Sequence, residues 1–244
     1  MSAVTTNHPD PAAAERESPA AATPDRATIV AEAAREGLVP AGGVDVVLRT
    51  LDLGIAGAAL TVFSPLMAVI AMAIRLTSGR PILYRGQRIG RFGIVFTMYK
   101  FRTLAPDAES RLGPYYGEEL TLRTEAEVTR LGRVLRAVYL DELPQLINVV
   151  RGDMSLVGPR PIRPAFFERL TEVVPNYWQR LVVRPGLTGF AQIRVTRELS
   201  WEEKLAHDLE FIADRSVRLY LTAIVATALR VIARAFGADV RSSR

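Results

Sequence analysis

Leu53-Gly54-Ile55-Ala56-Gly57-Ala58-Ala59-Leu60-Thr61-Val62-Phe63-Ser64-Pro65-Leu66-Met67-Ala68-Val69-Ile70-Ala71-Met72-Ala73-Ile74 is a run of 22 residues without a charge, and its reading decides the fold. A straight helix of that length extends roughly 33 Å, close to the hydrocarbon core of a bilayer at about 30 Å. Few helices of soluble proteins are apolar on every face, so a membrane segment is favoured over a buried core helix. Ser64-Pro65 falls at the midpoint, where Pro65 has no N–H for the Thr61 carbonyl, so a kink or break is expected there. Arg49 precedes the run, and Arg75, Arg80, Arg85 and Arg88 follow it. Two half-helices reaching ~16 Å each would suit a re-entrant hairpin, whereas the full length would also serve a straight span. The residues alone leave both arrangements open. The arginines place the C-terminal side in the cytoplasm.

Working outward, residues 1–43 hold six acids and three arginines, while the rest of the chain holds 28 basic and 20 acidic residues. The whole chain carries +5 with a pI near 9.9, which points to anionic partners: phosphorylated substrates, lipid head groups or nucleic acid. Only Lys100 and Lys204 are lysines, so phosphate would be gripped mainly by arginine. The absence of cysteine excludes disulfides, thiolate nucleophiles and Cys-based zinc sites. Of the two histidines, His8 lies in a low-complexity tail, and His207 reads as a surface or packing residue. Acid–base and nucleophilic work therefore falls to carboxylates. No phosphate-binding G-x-x-x-x-G-K-[ST], dinucleotide G-x-G-x-x-G, H-E-x-x-H or G-x-S-x-G motif is present.

The chain divides into a tail over 1–43, a membrane helix over 44–76, and a catalytic domain over 77–244. Residues 1–24 lack apolar material and are expected to be disordered, without the features of a signal peptide. Residues 26–38 suit a short helix with Ile29, Val30 and Ala33 on one side, ended by Gly37. Pro81–Arg85 and Ile94–Thr103, separated by Gly86–Gly93, predict a β-hairpin. Residues 105–127 read as a polar surface excursion. A helix is expected from Thr129, and another over Leu143–Val150, with Pro144 in its first turn and Gly152 as its stop. The Pro/Gly/Arg-rich stretch 153–199 suggests ordered loops with short helices such as Phe166–Val173. Ser200 and Glu203 form a capping box for a helix to Ile212, and Val217–Phe236 reads as an amphipathic helix packed on the domain or lying in the membrane interface. The fold class is an α-rich α+β membrane-associated domain.

Asp141-Glu142 is the strongest catalytic candidate. Asp141 is placed to cap the Leu143–Val150 helix, where backbone N–H groups favour negative charge. Arg136 lies five residues before, Arg151 and Asp153 follow the helix, and Arg160 stands between Pro159 and Pro161. A carboxylate can attack phosphorus, Mg²⁺ can bridge carboxylate and diphosphate oxygens, and arginine forks grip phosphate. Lys100-Phe101-Arg102 adds two cations around an aromatic at the end of the hairpin.

Five ordered blocks carry a resemblance. They are Tyr84-Arg85-Gly86-Gln87-Arg88-Ile89-Gly90, Tyr99-Lys100-Phe101-Arg102-Thr103, Leu140-Asp141-Glu142-Leu143-Pro144-Gln145-Leu146, Gly152-Asp153-Met154-Ser155-Leu156-Val157-Gly158-Pro159-Arg160-Pro161 and Arg184-Pro185-Gly186-Leu187-Thr188-Gly189. Together they resemble the bacterial sugar transferases, the monotopic phosphoglycosyl transferases, from about Arg49 to Ile232. The resemblance implies that Asp141 attacks the β-phosphate of a UDP-sugar, releasing UMP, and that a polyprenyl phosphate then takes the sugar phosphate. It implies that Glu142 supports Mg²⁺ together with Asp141. It also implies that Arg136 contacts phosphate, that Pro159-Arg160-Pro161 holds the nucleotide, and that Lys100, Arg102 and Arg184 belong to the substrate site. Ser64-Pro65 would be the apex of a re-entrant helix, with Arg49 and Asp52 where the chain enters the membrane. The implied location is the cytoplasmic face of the inner membrane, with membrane lipid and a second copy of the chain as further partners. Two departures stand out. Val138 and Tyr139 replace small hydroxyl residues, and Leu48-Arg49 replaces a paired Lys-Arg.

Two rival classes are a non-enzymatic basic membrane module and a membrane-tethered RNA binder. The first gives no reason for two acids beside clustered arginines. The second lacks regularly spaced aromatics among its basic residues, so nucleic acid is not expected as a partner.

Overall fold

The computed structural model describes residues 26–37, 42–106, 108, 123–190, 193 and 199–235. The tail expected to be disordered and most of the polar excursion lie outside these residues. Helix α1 (Arg26–Arg35) buries Ile29 and Ala33 fully, while Val30 faces outward rather than joining them. Gly37 ends the segment in the left-handed region at φ 68°.

Helix α2 (Gly42–Thr77) runs for 36 residues with Pro65 inside it and is long and apolar enough to cross a membrane. The expected break does not interrupt its helical backbone. The Ser64 hydroxyl donates to the Thr61 carbonyl at 2.8 Å, serving the acceptor that Pro65 cannot. Both halves of α2 pack on the same body. Leu48 and Ala56 are buried in the main core cluster, and Ile70 and Ile74 in another with Phe101 and Leu135. Leu143 packs against both clusters, whereas residues 61–66 between the two halves are all exposed. Burying side chains such as Ile74 contributes roughly 1.5–3 kcal/mol each.

The N-terminal half is also fixed by polar contacts. Asp52, almost fully buried, accepts from Leu156 N at 2.8 Å, Ser155 Oγ at 3.0 Å and Tyr220 Oη at 2.5 Å. Arg49 donates to the carbonyls of Val149 (2.6 Å) and Val150 (2.9 Å). These close a helix C-terminus, where a cation is favoured.

Strands β1 (Leu83–Ile89) and β2 (Val95–Phe101) form the expected antiparallel hairpin, paired from Leu83↔Phe101 to Ile89↔Val95. β1 continues through Gly86, so the turn is shorter than the glycines suggested. It closes through Phe92 and Gly93, both at positive φ. Helices α3 (Arg130–Ala137) and α4 (Gln145–Arg151) follow, and Gly152 stops α4 in the left-handed region at φ 93°. Strands β3 (Ser155–Val157) and β4 (Gly186–Thr188) pair in parallel inside the stretch expected to be loops. Three residues are too few for an alternating pattern to register. A Cβ on Gly186 would stand 2.1 Å from Gly158 N, so this pairing needs glycine. Helix α5 (Pro164–Val173) starts at a proline two residues before the expected start. Helix α6 (Trp201–Ala213) carries the full Ser200–Glu203 capping box, and α7 (Val217–Ala235) packs Tyr220 and Ala223 into the main core.

Candidate active site

The site is assembled around the turn between α3 and α4. Thr129 caps α3 by accepting from Gly132 N at 2.9 Å, and its own N–H and hydroxyl donate to the Thr103 carbonyl beyond the end of β2. Arg136, in the last turn of α3, donates through Nε to Thr103 Oγ1 at 2.9 Å. The chain then passes through Tyr139 in the left-handed region (φ 58°) into a 3₁₀ turn, Leu140–Glu142. Asp141 therefore does not cap α4. That helix begins later, at Gln145, with Pro144 in the cap position. The 3₁₀ turn keeps the Asp141 side chain buried instead, at 7% exposure.

The two carboxyls are driven in opposite directions. Burial pushes Asp141 above the ordinary carboxylate value, further than the Lys100 charge pulls it down. Burial acts the same way on Glu142, but Arg160 and Lys100 together overrule it and hold that carboxyl low. Lys100 Nζ lies 2.5 Å and Arg160 Nη2 3.3 Å from Glu142 Oε1. Lys100 is itself lowered, chiefly by burial. Adjacent carboxyls pushed apart in this way can take different roles.

Asp141 and Glu142 open into a cleft of about 1490 Å³, more than a single small-molecule pocket usually offers. Lys100, Arg102, Arg136 and Arg160 line it as the sequence suggested. Arg102 also ties the end of α2 to the hairpin, donating to the carbonyls of Ser78 (2.6 Å), Gly79 and Arg80. Pro159 is buried and Pro161 half-buried. Neither lines the cleft, and they brace Arg160, whose carbonyl accepts from Arg180 Nη2 at 3.0 Å. Arg184 is not brought to the cleft. It donates to the Gly152 carbonyl and lines a small separate cavity with Arg49 and Asp52. Arg151 and Asp153 are engaged elsewhere, with Tyr99 Oη and Asn148. His207 sits 3.5 Å from Glu210, outside the cleft.

Arg80, Arg85, Arg88, Arg163, Tyr84 and Tyr139 also line the cleft, and the sequence does not mark them as site residues. The sequence marks Arg80, Arg85 and Arg88 only as flanks of the apolar run, and the structure brings them to the cleft that Asp141 and Glu142 line. One side of the cleft is apolar and is formed by Met67, Ala68 and Ala71 of α2. Among the described residues no third His, Asp or Glu joins the two acids. Two adjacent hard oxygen donors suit Mg²⁺, which binds through one or two carboxylates and completes its shell with water and substrate phosphate.

A model of the bacterial sugar transferases matches residues 44–234. The chain is 34% identical over 204 residues to a UDP-N-acetylgalactosamine-undecaprenyl-phosphate N-acetylgalactosaminephosphotransferase of Aeromonas hydrophila, an alignment covering 82% of this chain and 47% of that one. It is 41% identical over 182 residues to a UDP-glucose:undecaprenyl-phosphate glucose-1-phosphate transferase of Caulobacter vibrioides, covering 72% and 66%. The chain thus spans about half to two thirds of the length of these two relatives. It is also 34% identical over 206 residues to the exopolysaccharide production protein PSS of Rhizobium leguminosarum, covering 80% of this chain and 100% of that one. With its acid pair, cationic cleft and apolar helix in place, the chain belongs to the bacterial sugar transferase family.

Proposed function

We propose that the protein transfers a sugar 1-phosphate from a UDP-sugar to a polyprenyl phosphate such as undecaprenyl phosphate, as the first membrane step of a cell-surface glycan. The observation that carries this reading is the Asp141-Glu142 pair, with Asp141 buried and Glu142 half-buried, in a cleft with eight cationic residues and one wall from the long apolar helix. A diphosphate needs the cations, and a lipid acceptor needs the apolar wall. The relatives' names supply the substrate classes.

In this mechanism an Asp141 oxygen attacks the β-phosphorus, the bond to the bridging oxygen breaks, and UMP leaves. The acceptor phosphate then attacks the same phosphorus and frees Asp141. Asp141, raised by burial, is the more basic and more nucleophilic carboxylate once ionised, while Glu142 stays anionic between Lys100 and Arg160. Arg136 and Arg160 are placed to hold phosphate oxygens. Mg²⁺, held by Asp141 and Glu142, would neutralise charge on the diphosphate. Both halves of α2 rest on one body, which supports a re-entrant helix, and the arginines that follow it support a site on the cytoplasmic face of the inner membrane.

The test is a panel of UDP-sugars with a polyprenyl phosphate, scored for UMP, using wild type and Asp141→Asn. Wild type should release UMP from at least one donor and the variant from none. It should also exchange labelled UMP into UDP-sugar without lipid, and exchange that strictly requires lipid would refute the covalent intermediate.

A further inference from the structure

A second cluster of cations lies apart from the cleft, beside the N-terminal half of α2. Arg49, Arg91, Arg184 and Arg215 line a cavity of about 30 Å³ with Asp45 and Asp52, and none of the six lines the cleft. They come from four parts of the chain: α2, the turn of the β1–β2 hairpin, the residues before β4 and the link between α6 and α7. The volume is roughly twice what one water requires. That is the scale of a tetrahedral oxyanion and far too small for a nucleotide or a sugar.

The two carboxylates do not balance this cluster. Four arginines against two aspartates leave two positive charges over. Asp52 is already committed, its Oδ1 accepting from Leu156 N, Ser155 Oγ and Tyr220 Oη, while its Oδ2 lies 3.9 Å from Arg49. Asp45 stands alone between two arginines, 3.4 Å from Arg91 Nη2 and 3.1 Å from Arg215 Nη2. Both distances exceed the about 2.7–2.9 Å of a well-formed charge-assisted bond. The Arg215 side chain is 9% exposed, and its Nε is buried without a hydrogen bond. Arg91 and Arg184 each spend Nε on a carbonyl, that of Val182 and of Gly152, which orients their guanidiniums. In Arg184 both Nη groups are left without a hydrogen-bond partner among the described residues. Surplus cations and an unbonded donor held out of water cost stability unless an anion joins them.

We infer that Arg91, Arg184 and Arg215 hold a phosphate group in this cavity, at the point where α2 meets the hairpin turn, the β4 approach and the α6–α7 link. Guanidinium forks suit its oxygens, and one anion shared by three arginines ties these segments to α2. The site is separate from the cleft and does not rest on the transfer reaction. The phosphate has two possible sources, the free ion and a phospholipid head group, since α2 exposes Val46, Val47 and Leu53 in the same turns as Asp45 and Arg49.

The experiment follows melting of the full chain in dodecyl maltoside, a detergent without phosphorus, as inorganic phosphate replaces chloride at constant ionic strength. A ligand at ten times its dissociation constant should raise the melting temperature by roughly 3–6 °C. Wild type should show this shift, and Arg160→Ala, which alters the cleft, should keep it. Arg215→Met and Arg91→Met should each lose most of it, retaining only the general stabilisation by an excluded salt. Asp45→Asn should act in the opposite direction. It removes the carboxylate between two arginines, so the protein melts lower in chloride, but the larger surplus of charge should make the phosphate shift larger than in wild type. Dioleoylphosphatidylglycerol added to the micelles is the second arm. A shift that depends on Arg215 with this lipid alone identifies the head group as the source, one with inorganic phosphate alone identifies the free ion, and one with both shows that the phosphate group itself is recognised. The inference fails if neither ligand gives a shift that depends on Arg91 or Arg215. It fails if the shift is lost in Arg160→Ala and kept in Arg215→Met, because the anion then sits in the cleft. An Asp45→Asn shift no larger than that of wild type also overturns it, since the arginines would then need the carboxylate and nothing more.

Discussion

Gly132→Ala tests how tightly the catalytic turn depends on one backbone contact. A Cβ at this position would lie 2.1 Å from the Thr103 carbonyl oxygen and 2.8 Å from its carbonyl carbon and Cα. Relaxing that carbon–oxygen contact to about 3.3 Å requires α3 to move by roughly 1 Å. The helix cannot move alone. Thr129 N donates to the same carbonyl at 2.9 Å, and Arg136 Nε donates to Thr103 Oγ1 at 2.9 Å. The displacement therefore reaches Arg136 and, through Tyr139, Asp141. Misplacement by 1 Å costs on the order of 100-fold in rate. Overpacking costs about 1–3 kcal/mol, partly offset by about 1 kcal/mol from replacing a helical glycine. The expected signature is a 100-fold loss of UMP release with a modest fall in melting temperature. Val134→Ala, on the exposed side of α3, serves as the control and should change neither. A Gly132→Ala rate within twofold of wild type would refute the reasoning, as would a loss that merely follows the folded fraction.

Three further perturbations probe other parts of the molecule. Lys100→Met removes a cation that lowers both Asp141 and Glu142, so both carboxyls rise and the acid limb of the kcat/KM profile should move to higher pH; a stationary limb would show that neither acid governs it. Asp52→Ala leaves Leu156 N without its buried acceptor and should cost about 3–5 kcal/mol by thermal or denaturant melting, against about 1–3 kcal/mol for Tyr220→Phe; losses below 1 kcal/mol would mean the contacts do not hold α2. Single cysteines at the exposed positions Val46 and Val173, probed with an impermeant maleimide in intact cells, should both stay unlabelled until the inner membrane is opened, and labelling at 46 alone would show a single span.

What could be read from the sequence was whatever repeats or caps locally. The apolar run, the helix start at Thr129, the Ser200 cap and the Gly152 stop each rest on residues close in the chain, and each stands where expected. The Asp141-Glu142 pair was also visible, but its setting was not. The spacing suggests a helix cap, whereas Pro144 delays the helix and a left-handed Tyr139 leads the acids into a 3₁₀ turn that buries Asp141. Contacts between distant segments were out of reach. Nothing local distinguishes Gly132 from a weak helix residue until Thr103 is seen against it, and nothing shows that Arg184 faces Gly152 rather than the cleft. The three-residue β3 and β4 pair across the long Pro/Gly-rich stretch, which periodicity cannot reveal. Pro65 taken alone predicts a break, whereas its neighbour Ser64 carries the donor that serves the Thr61 carbonyl.

The bond between Tyr220 and Asp52 joins residues 168 positions apart in a chain of 244, which has a consequence for biosynthesis. As the protein emerges from the ribosome, the long apolar helix α2 is complete while its buried aspartate still lacks the tyrosine. The acid pair, the hairpin and the arginine loops are all translated before α7 supplies that hydroxyl and Ala223 joins the core. Closure is thus a late step, taken after the apolar helix α2 has left the ribosome. A nascent chain stalled short of Val217 would carry every residue assigned to the chemistry, yet its apolar helix α2 would lack the last of the contacts that lock it to the domain.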